Sequence, residues 1–233
     1  MAGALSTVQS QGQVLASERM LAVGAPLAHL LPGAGLRRGS LVGVSGPGGS
    51  TLLFSLLAEP LGQGSWAGVV GLPDLGLEAA AQMGVDLARI ALVPDPGPNW
   101  SAIAAVLLDA MDLVVLRPSG HCRPADAHRL AARARERGSV LLVVRGGSPW
   151  PERPDVELTA EATGWEGLGA GSGTLLRRPG RIVVSGRRAA GREGSLPCWL
   201  PGPDGRLTPR RSREEPLPER AAGQTPDTMA WAG

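Results

Sequence analysis

The sequence predicts an α/β domain: a mostly parallel sheet with helices on both faces and antiparallel strands toward the C-terminus. Three observations predict it. Short apolar runs at 41–45, 66–72, 89–93, 113–116 and 140–144 alternate with helical patterns of about 10–15 residues, the rhythm of βαβ units. The first of these runs passes through Gly46-Pro47-Gly48-Gly49 into an apolar helical pattern. That is the layout of a phosphate-binding loop, in which backbone amides and a helix N-terminus face the phosphates. After Gly147 the apolar period shortens to two. Residues 156–163 alternate as an antiparallel strand with one wet face does.

Each element has a local reason. Residues 1–24 are mostly small and polar and read as a flexible arm, with one or two short helices expected between 15 and 31. Leu27, Leu30 and Leu31 keep helical spacing there, and Pro32-Gly33 ends it. A glycine-rich turn then leads into the first strand. The helix at 51–57 is expected to stop near Pro60. The helix at 75–83 is closed by Gly84. Asn99 sits where it can cap a helix over 100–110. Pro124 opens a helix that runs to Arg137, and Gly138 closes it. Leu175-Leu176, Pro179-Gly180 and 182–185 read as a hairpin, and 196–200 as a last strand. The domain body is expected at 25–201. Residues 202–233, rich in Pro, Arg, Glu and Ser, read as a disordered tail.

Composition narrows the function classes. Hydrophobic residues make up 43% of the 233, and six Trp, one Phe and no Tyr leave the core to Leu, Val and Ala. A net charge of +2 is too small for binding nucleic acid through bulk charge, so only local arginine clusters can serve. Cys122 and Cys198 have neither metal-ligand spacing nor a disulfide framework, and reduced cytosolic thiols are expected. No basic residue precedes Arg19, so no signal-peptide leader is expected. The longest apolar run, 102–116, carries Asp109 and Asp112, which argues against a membrane span. A cytoplasmic protein is expected.

The phosphate-loop motif is G-x-x-x-x-G-K-[ST]. Gly43, Gly48 and Ser50 fall at its spacing, with Gly46 and Thr51 beside them, but Gly49 holds the lysine position. All 23 basic side chains are arginines, so no neighbouring lysine can replace it. The loop either holds a phosphate on backbone amides alone or is a tight turn kept for helix–sheet packing. Two arginine groups also stand out. Arg129, Arg133 and Arg137 recur every four residues opposite an apolar stripe, as a solvated helix face or a docking face would. Arg177, Arg178, Arg181, Arg187, Arg188 and Arg192 fall in a stretch without acids. They suit a phosphate backbone and equally an acidic protein surface.

Several segments sharpen the class. Residues 31–42 resemble the approach of RecA proteins to their first core strand, and Ala80-Ala81-Gln82-Met83-Gly84-Val85-Asp86 resembles the helix end before RecA's third strand. Arg181-Ile182-Val183-Val184-Ser185-Gly186-Arg187-Arg188, followed by Trp199-Leu200, resembles the C-terminal strands of ImuA proteins. These are short RecA relatives in damage-induced mutagenesis cassettes. The resemblance covers roughly 25–201, and its arginine-only composition suits an actinobacterial source.

That resemblance implies a RecA-like core. It also implies an accessory role in the SOS-type DNA damage response and in translesion synthesis, beside an ImuB-type Y-family polymerase relative and an error-prone C-family DNA polymerase, with at most weak DNA contact. A RecA-type ATPase needs the loop lysine, a Ser/Thr on Mg²⁺, an acid ending the fourth strand and a glutamate after the second. Here Arg117 holds the acid position and Leu72 lies near the glutamate position, with Asp74 two residues on. Only Ser50 or Thr51 survives. Hydrolysis is therefore not expected, no cofactor is required, and weak ATP binding is left open. The segments at the places of RecA's two DNA loops, 119–122 and 146–153, are short, so strand exchange is not expected. Three rivals stand beside this reading: a SulA-like division inhibitor, an ATPase in which Arg117 or Arg145 supplies the missing charge, and a nucleotide-sensing module that binds without hydrolysis.

Overall fold

The computed structural model describes residues 19–146, 149–169, 172–187 and 194–210. A nine-stranded sheet forms its centre. In chain order its strands are β3 (Leu41–Ser45), β4 (Ala67–Val70), β5 (Ile90–Val93), β6 (Leu113–Leu116), β7 (Val140–Val144), β8 (Val156–Ala162), β11 (Pro179–Ser185), β12 (Ser195–Trp199) and β13 (Thr208–Pro209). Across the sheet the order is β13-β12-β11-β8-β3-β7-β6-β4-β5. The six strands from β8 to β5 are parallel, and β11 runs antiparallel to both β8 and β12. Two small ribbons stand apart: β1 (Met20–Ala22) with β2 (Gly35–Arg37), and β9 (Glu166–Gly169) with β10 (Ser172–Arg177).

The burial of each strand follows from its place. β4 and β6 are buried at every residue, because helices cover both of their faces. β8 alternates buried and open positions, as its sequence period predicts. Five helices connect the strands: α1 (Ala25–Ala28), α2 (Gly49–Gly62), α3 (Leu77–Gln82), α4 (Trp100–Ala110) and α5 (Pro124–Arg137). Leu27, Leu52, Leu56 and Ala80 pack with Val42, Val44, Leu142 and Leu158 on one face, which places α1, α2 and α3 there. Ala104, Leu108, Leu130 and Ala134 pack with Leu41, Val114, Leu116 and Leu141 on the other, the face of α4 and α5. The chain therefore leaves β4 toward one face and the adjacent β6 toward the other. No helix among the described residues is long and apolar enough to cross a membrane.

Helix ends match the sequence where a residue has one dominant local preference. α5 starts at Pro124 and ends on Gly138 in the left-handed conformation (φ 69°). α4 spans 100–110 as predicted, although the Asn99 side chain makes no capping hydrogen bond. Four expectations change. α2 runs through Pro60 to Gly62: the proline lies in the last turn, where it removes one donor, and burial of Pro60 and Leu61 offsets that loss. Residues 20–22 form a strand on 35–37 instead of continuing a helix. Pro179-Gly180 turns no hairpin. Pro179 opens β11, where its missing N–H is tolerated, and Ile182 pairs with Ala160 of β8. The folded body also reaches past 201, because Thr208 pairs with Trp199 and the Arg210 amide donates to the Pro197 carbonyl. Residues 1–18 of the expected arm and 211–233 of the expected tail lie outside the described residues.

Candidate functional site

Two places at the carboxyl end of the parallel strands have the position of a nucleotide site. The first is the loop from β3 to α2. Three of its four glycines are fixed by neighbours inside the protein. A Cβ on Gly43 would lie 2.0 Å from Glu157 Oε2. Gly46 has φ +92°, and a Cβ there would lie 2.2 Å from the Ala160 carbonyl oxygen. A Cβ on Gly48 would meet the Ala160 and Leu200 side chains at 3.1 and 3.2 Å. Gly49 is the exception, with nothing within 4 Å. The loop is thus seated on β8 and on the residue after β12.

The amides that would face a phosphate are partly committed. Gly48 N–H donates to the Ala160 carbonyl (3.4 Å) and Gly49 N–H to the Gly46 carbonyl (2.9 Å). Arg178 holds the loop from above, donating Nη1–H to the Pro47 carbonyl (3.0 Å) and Nε–H to the Thr163 carbonyl (2.8 Å). Ser50 is exposed and Thr51 half-buried in the first turn of α2. Among the described residues no three His, Cys, Asp or Glu side chains come together as a metal site.

The second place is the crevice between β4 and β6, where the connections diverge to opposite faces. In open α/β sheets that is the usual position of a ligand. A cleft of about 390 Å³ lies here, lined by Gly71, Pro73, Asp95, Arg117, Ser119 and Gly146 among others. Arg117 follows β6 directly. Its Nε–H donates to the Gly71 carbonyl (2.9 Å), and its Nη2 is ion-paired with Asp74. Gly71 adopts φ +78°, and a Cβ there would lie 2.1 Å from the Arg117 carbonyl oxygen. The guanidinium bonded to Asp74 holds that carboxyl below its ordinary range. Cation and acid therefore occupy each other.

Beside the loop, the last residue of β3 belongs to a half-buried polar cluster. Arg145 Nη2 meets Glu157 Oε2 at 2.9 Å, and Ser45 Oγ donates to Glu157 Oε1 (3.3 Å) and contacts Thr159 Oγ1 at 3.1 Å. Burial pushes the Glu157 carboxyl above its ordinary value, with Arg145 opposing.

The sequence-predicted arginines are placed differently from how their spacing suggests. Arg129 pairs with Asp126, and Arg133 and Arg137 share Asp109 of α4. Arg177 pairs with Glu166, Arg181 with Glu161 and Arg187 with Asp155. Arg188 and Arg192 lie outside the described residues. Asp126 lies on α5 itself, three residues from Arg129; the other acids come from α4, β8 and β9 and from Asp155 ahead of β8, so the runs of arginines alone could not reveal them. Trp150 is buried at 6% exposure, packed with the α4–α5 face, and Cys122 is buried beside it, so neither is presented to a ligand. Trp199, quoted from the sequence only as part of the ImuA-like segment, has the Arg177 and Arg210 guanidinium groups 4.0 and 5.0 Å from its ring centroid.

Comparison with known proteins agrees with this architecture. The family model described as MT3502 N-terminal domain matches residues 29–152. A Mycobacterium tuberculosis protein described as "Uncharacterized protein Rv3395c" is 42% identical over 146 residues, 58% of this chain and 70% of the relative. Among solved structures, the RadB recombinase superimposes with a TM-score of 0.56 at 19% identity, over 77% of this chain and 95% of that one. The fold is therefore RecA-like.

Proposed function

This chain belongs to the MT3502 N-terminal domain family, and we propose that it is a non-catalytic RecA-like adaptor in damage-induced mutagenesis and translesion DNA synthesis. In this reading it binds an ImuB-type Y-family polymerase relative. The observation that carries the reading is the charge arrangement at the ATPase positions. Gly49 stands where the lysine belongs, and Arg117 stands where the metal-binding acid belongs. The nearest acid to the glutamate position, Asp74, is bound by Arg117. Phosphoryl transfer consists mostly of positioning and charge neutralisation. A site that lacks the loop lysine and carries arginine in place of the fourth-strand acid has lost both of the charges that do this work. The segments resembling ImuA proteins connect this disarmed core to mutagenesis, with an error-prone C-family polymerase as second partner and only weak contact with DNA.

The test has two arms. The tagged protein is recovered from its own host after treatment with a DNA-damaging agent, and co-purifying proteins are identified by mass spectrometry. The reading expects a Y-family-like protein with a C-family polymerase; recovery of a tubulin-like division protein in their place would replace it with the division-inhibitor reading. In parallel, Mg²⁺-dependent phosphate release from ATP by the purified chain is compared with Arg117→Ala. Release by the wild-type chain that the variant loses would return the protein to the ATPases.

A further inference from the structure

Three of the large apolar side chains that stay exposed, Trp165 (39%), Leu175 (50%) and Leu176 (56%), sit on or beside the β9–β10 ribbon. This ribbon belongs to neither the central sheet nor the β1–β2 pair. Its register is Gly173↔Leu168 and then Arg177↔Glu166, so residues 174–176 of β10 oppose the single residue Gly167 of β9. Such bulges re-aim side chains and recur next to functional sites. Gly167 admits this one: its φ is +101°, and a Cβ there would lie 2.2 Å from the Thr174 carbonyl oxygen and 2.7 Å from Leu176 Cγ. Leu175 and Leu176 both lie in the bulge, where the regular alternation of a strand is interrupted. Both are about half exposed, so the described residues leave this part of the ribbon uncovered. A two-stranded ribbon without a covering layer is marginal in water, and clustered exposed apolar side chains mark interaction sites.

The charge at the base of the ribbon selects the occupant. Arg178 follows β10 directly and lies 5.8 Å from the Trp165 ring centroid. Its hydrogen bonds go only to the Thr163 and Pro47 carbonyls, and among the described residues no carboxylate pairs with it. Its neighbours Arg177 and Arg181 are already on Glu166 and Glu161. A nucleic-acid backbone needs a track of available cations, and of the three exposed side chains only Trp165 gives a base a stacking surface. One available cation beside aliphatic side chains suits a carboxylate flanked by apolar residues. Among the described residues the outer edges of β9 and β10 pair with no further strand, so an extended segment can join there.

We propose that the bulged β9–β10 ribbon is the docking surface for an extended protein segment that carries apolar side chains for Trp165, Leu175 and Leu176 and a carboxylate for Arg178. The inference rests on the adaptor reading and gives it a surface. It is tested separately by panning phage-displayed random peptides on the full chain. The variants are Leu175→Ser/Leu176→Ser and Arg178→Gln, with melting temperatures checked first. Enriched peptides are expected to combine apolar residues with Asp or Glu. Their affinity is expected to fall about thirtyfold in the leucine double variant, as for loss of an apolar anchor, and several-fold in Arg178→Gln. Peptides without acidic enrichment, or bound equally by wild type and variants, would overturn the proposal. So would a labelled oligothymidine that binds only the wild type, or a dimer in sedimentation that the leucine variant dissolves. The two readings separate on the purified Y-family relative. If it does not bind while the peptides do, the adaptor reading fails and the surface stands. If it binds the wild type and the leucine variant alike, the surface fails and the adaptor reading stands.

Discussion

Replacing Gly46 by alanine separates a loop kept for packing from a loop kept for a ligand. Two costs add in the free protein. A non-glycine residue in the left-handed region costs about 1–2 kcal/mol, and Gly46 sits at φ +92°. The new Cβ would also lie 2.2 Å from the Ala160 carbonyl oxygen, a backbone atom that cannot rotate away. To reach an ordinary contact, the loop must lift off β8 by roughly 1 Å, which strains the Gly48–Ala160 hydrogen bond and costs about 1–3 kcal/mol as overpacking does. The sum, about 2–5 kcal/mol, corresponds to a fall in melting temperature of about 5–15 °C for a domain of this size. Thermal unfolding followed by circular dichroism measures it without any ligand. Gly49→Ala is the matched control, since nothing lies within 4 Å of its Cβ and helix propensity favours alanine. Its melting temperature should hold or rise slightly. If Gly46→Ala melts within a degree of wild type, or Gly49→Ala is the more damaging change, the packing account of this loop is wrong.

Gly49→Lys restores the missing cation in open space; it should fold normally and still release no phosphate from ATP, because the Gly48 and Gly49 amides are committed and the position of the metal-binding acid still holds Arg117. Magnesium-dependent turnover in that variant would sink the argument. Glu157 titrates in the folded state above its ordinary value near 4.5, so over the window from that value upward the folded form binds more protons than the unfolded one. Stability from this group is present below the window and falls as pH rises through it. Glu157→Gln should remove that slope in urea titrations taken across the window, and an unchanged slope would refute the assignment. Burial pushes the Cys198 thiol up to about 12 and raises Cys122, so native protein at pH 8 should leave both unreacted with a chromogenic disulfide reagent until urea exposes them. In Arg117→Ala the Asp74 carboxyl should titrate at higher pH by carbon-detected NMR, since that guanidinium is the largest influence holding it down; an unmoved Asp74 would mean that the pair is not the one described.

Much of the fold was legible because it rests on period and on a few residues with a single strong preference. Five apolar runs became five parallel strands, and Pro124 and Gly138 bounded α5 as written. Misreadings came where tertiary burial outweighed a local rule. Pro60 is a helix breaker in isolation, but its ring and the next leucine are buried against the sheet, so the helix passes through it. Pro179-Gly180 reads as a turn only while the neighbours of that stretch are unknown. With β8 and β12 on either side it becomes the start of a central strand. The antiparallel pair that was not expected, β9 with β10, lies in a stretch whose glycines gave no period to follow.

The site was legible in what it lacks and illegible in how its charges are used. The absence of lysine, and arginine at the acid position, follow from the sequence alone. The partner of that arginine does not, because Asp74 and Arg117 meet only when β4 and β6 lie side by side. The same holds for the basic stretch. A run of arginines without acids reads as a field, yet a sheet brings in the acids of other strands: Glu161 comes to Arg181 across the β8–β11 pair and Glu166 to Arg177 across the ribbon. Once those pairs form, the density of positive charge along the chain no longer identifies a binding surface. What does is the exception, the arginine that sheet pairing leaves on carbonyl oxygens. Among the described arginines of that stretch Arg178 is the exception, and it stands between the phosphate loop and the exposed ribbon, bonded to one and lying against Trp165 beside the other. A carboxylate arriving at the ribbon would draw on the same guanidinium that holds Pro47. Docking there and the seating of the loop on β8 are therefore linked, and Arg178→Gln should loosen the loop even without a partner, which faster amide exchange at Gly48 and Gly49 would report.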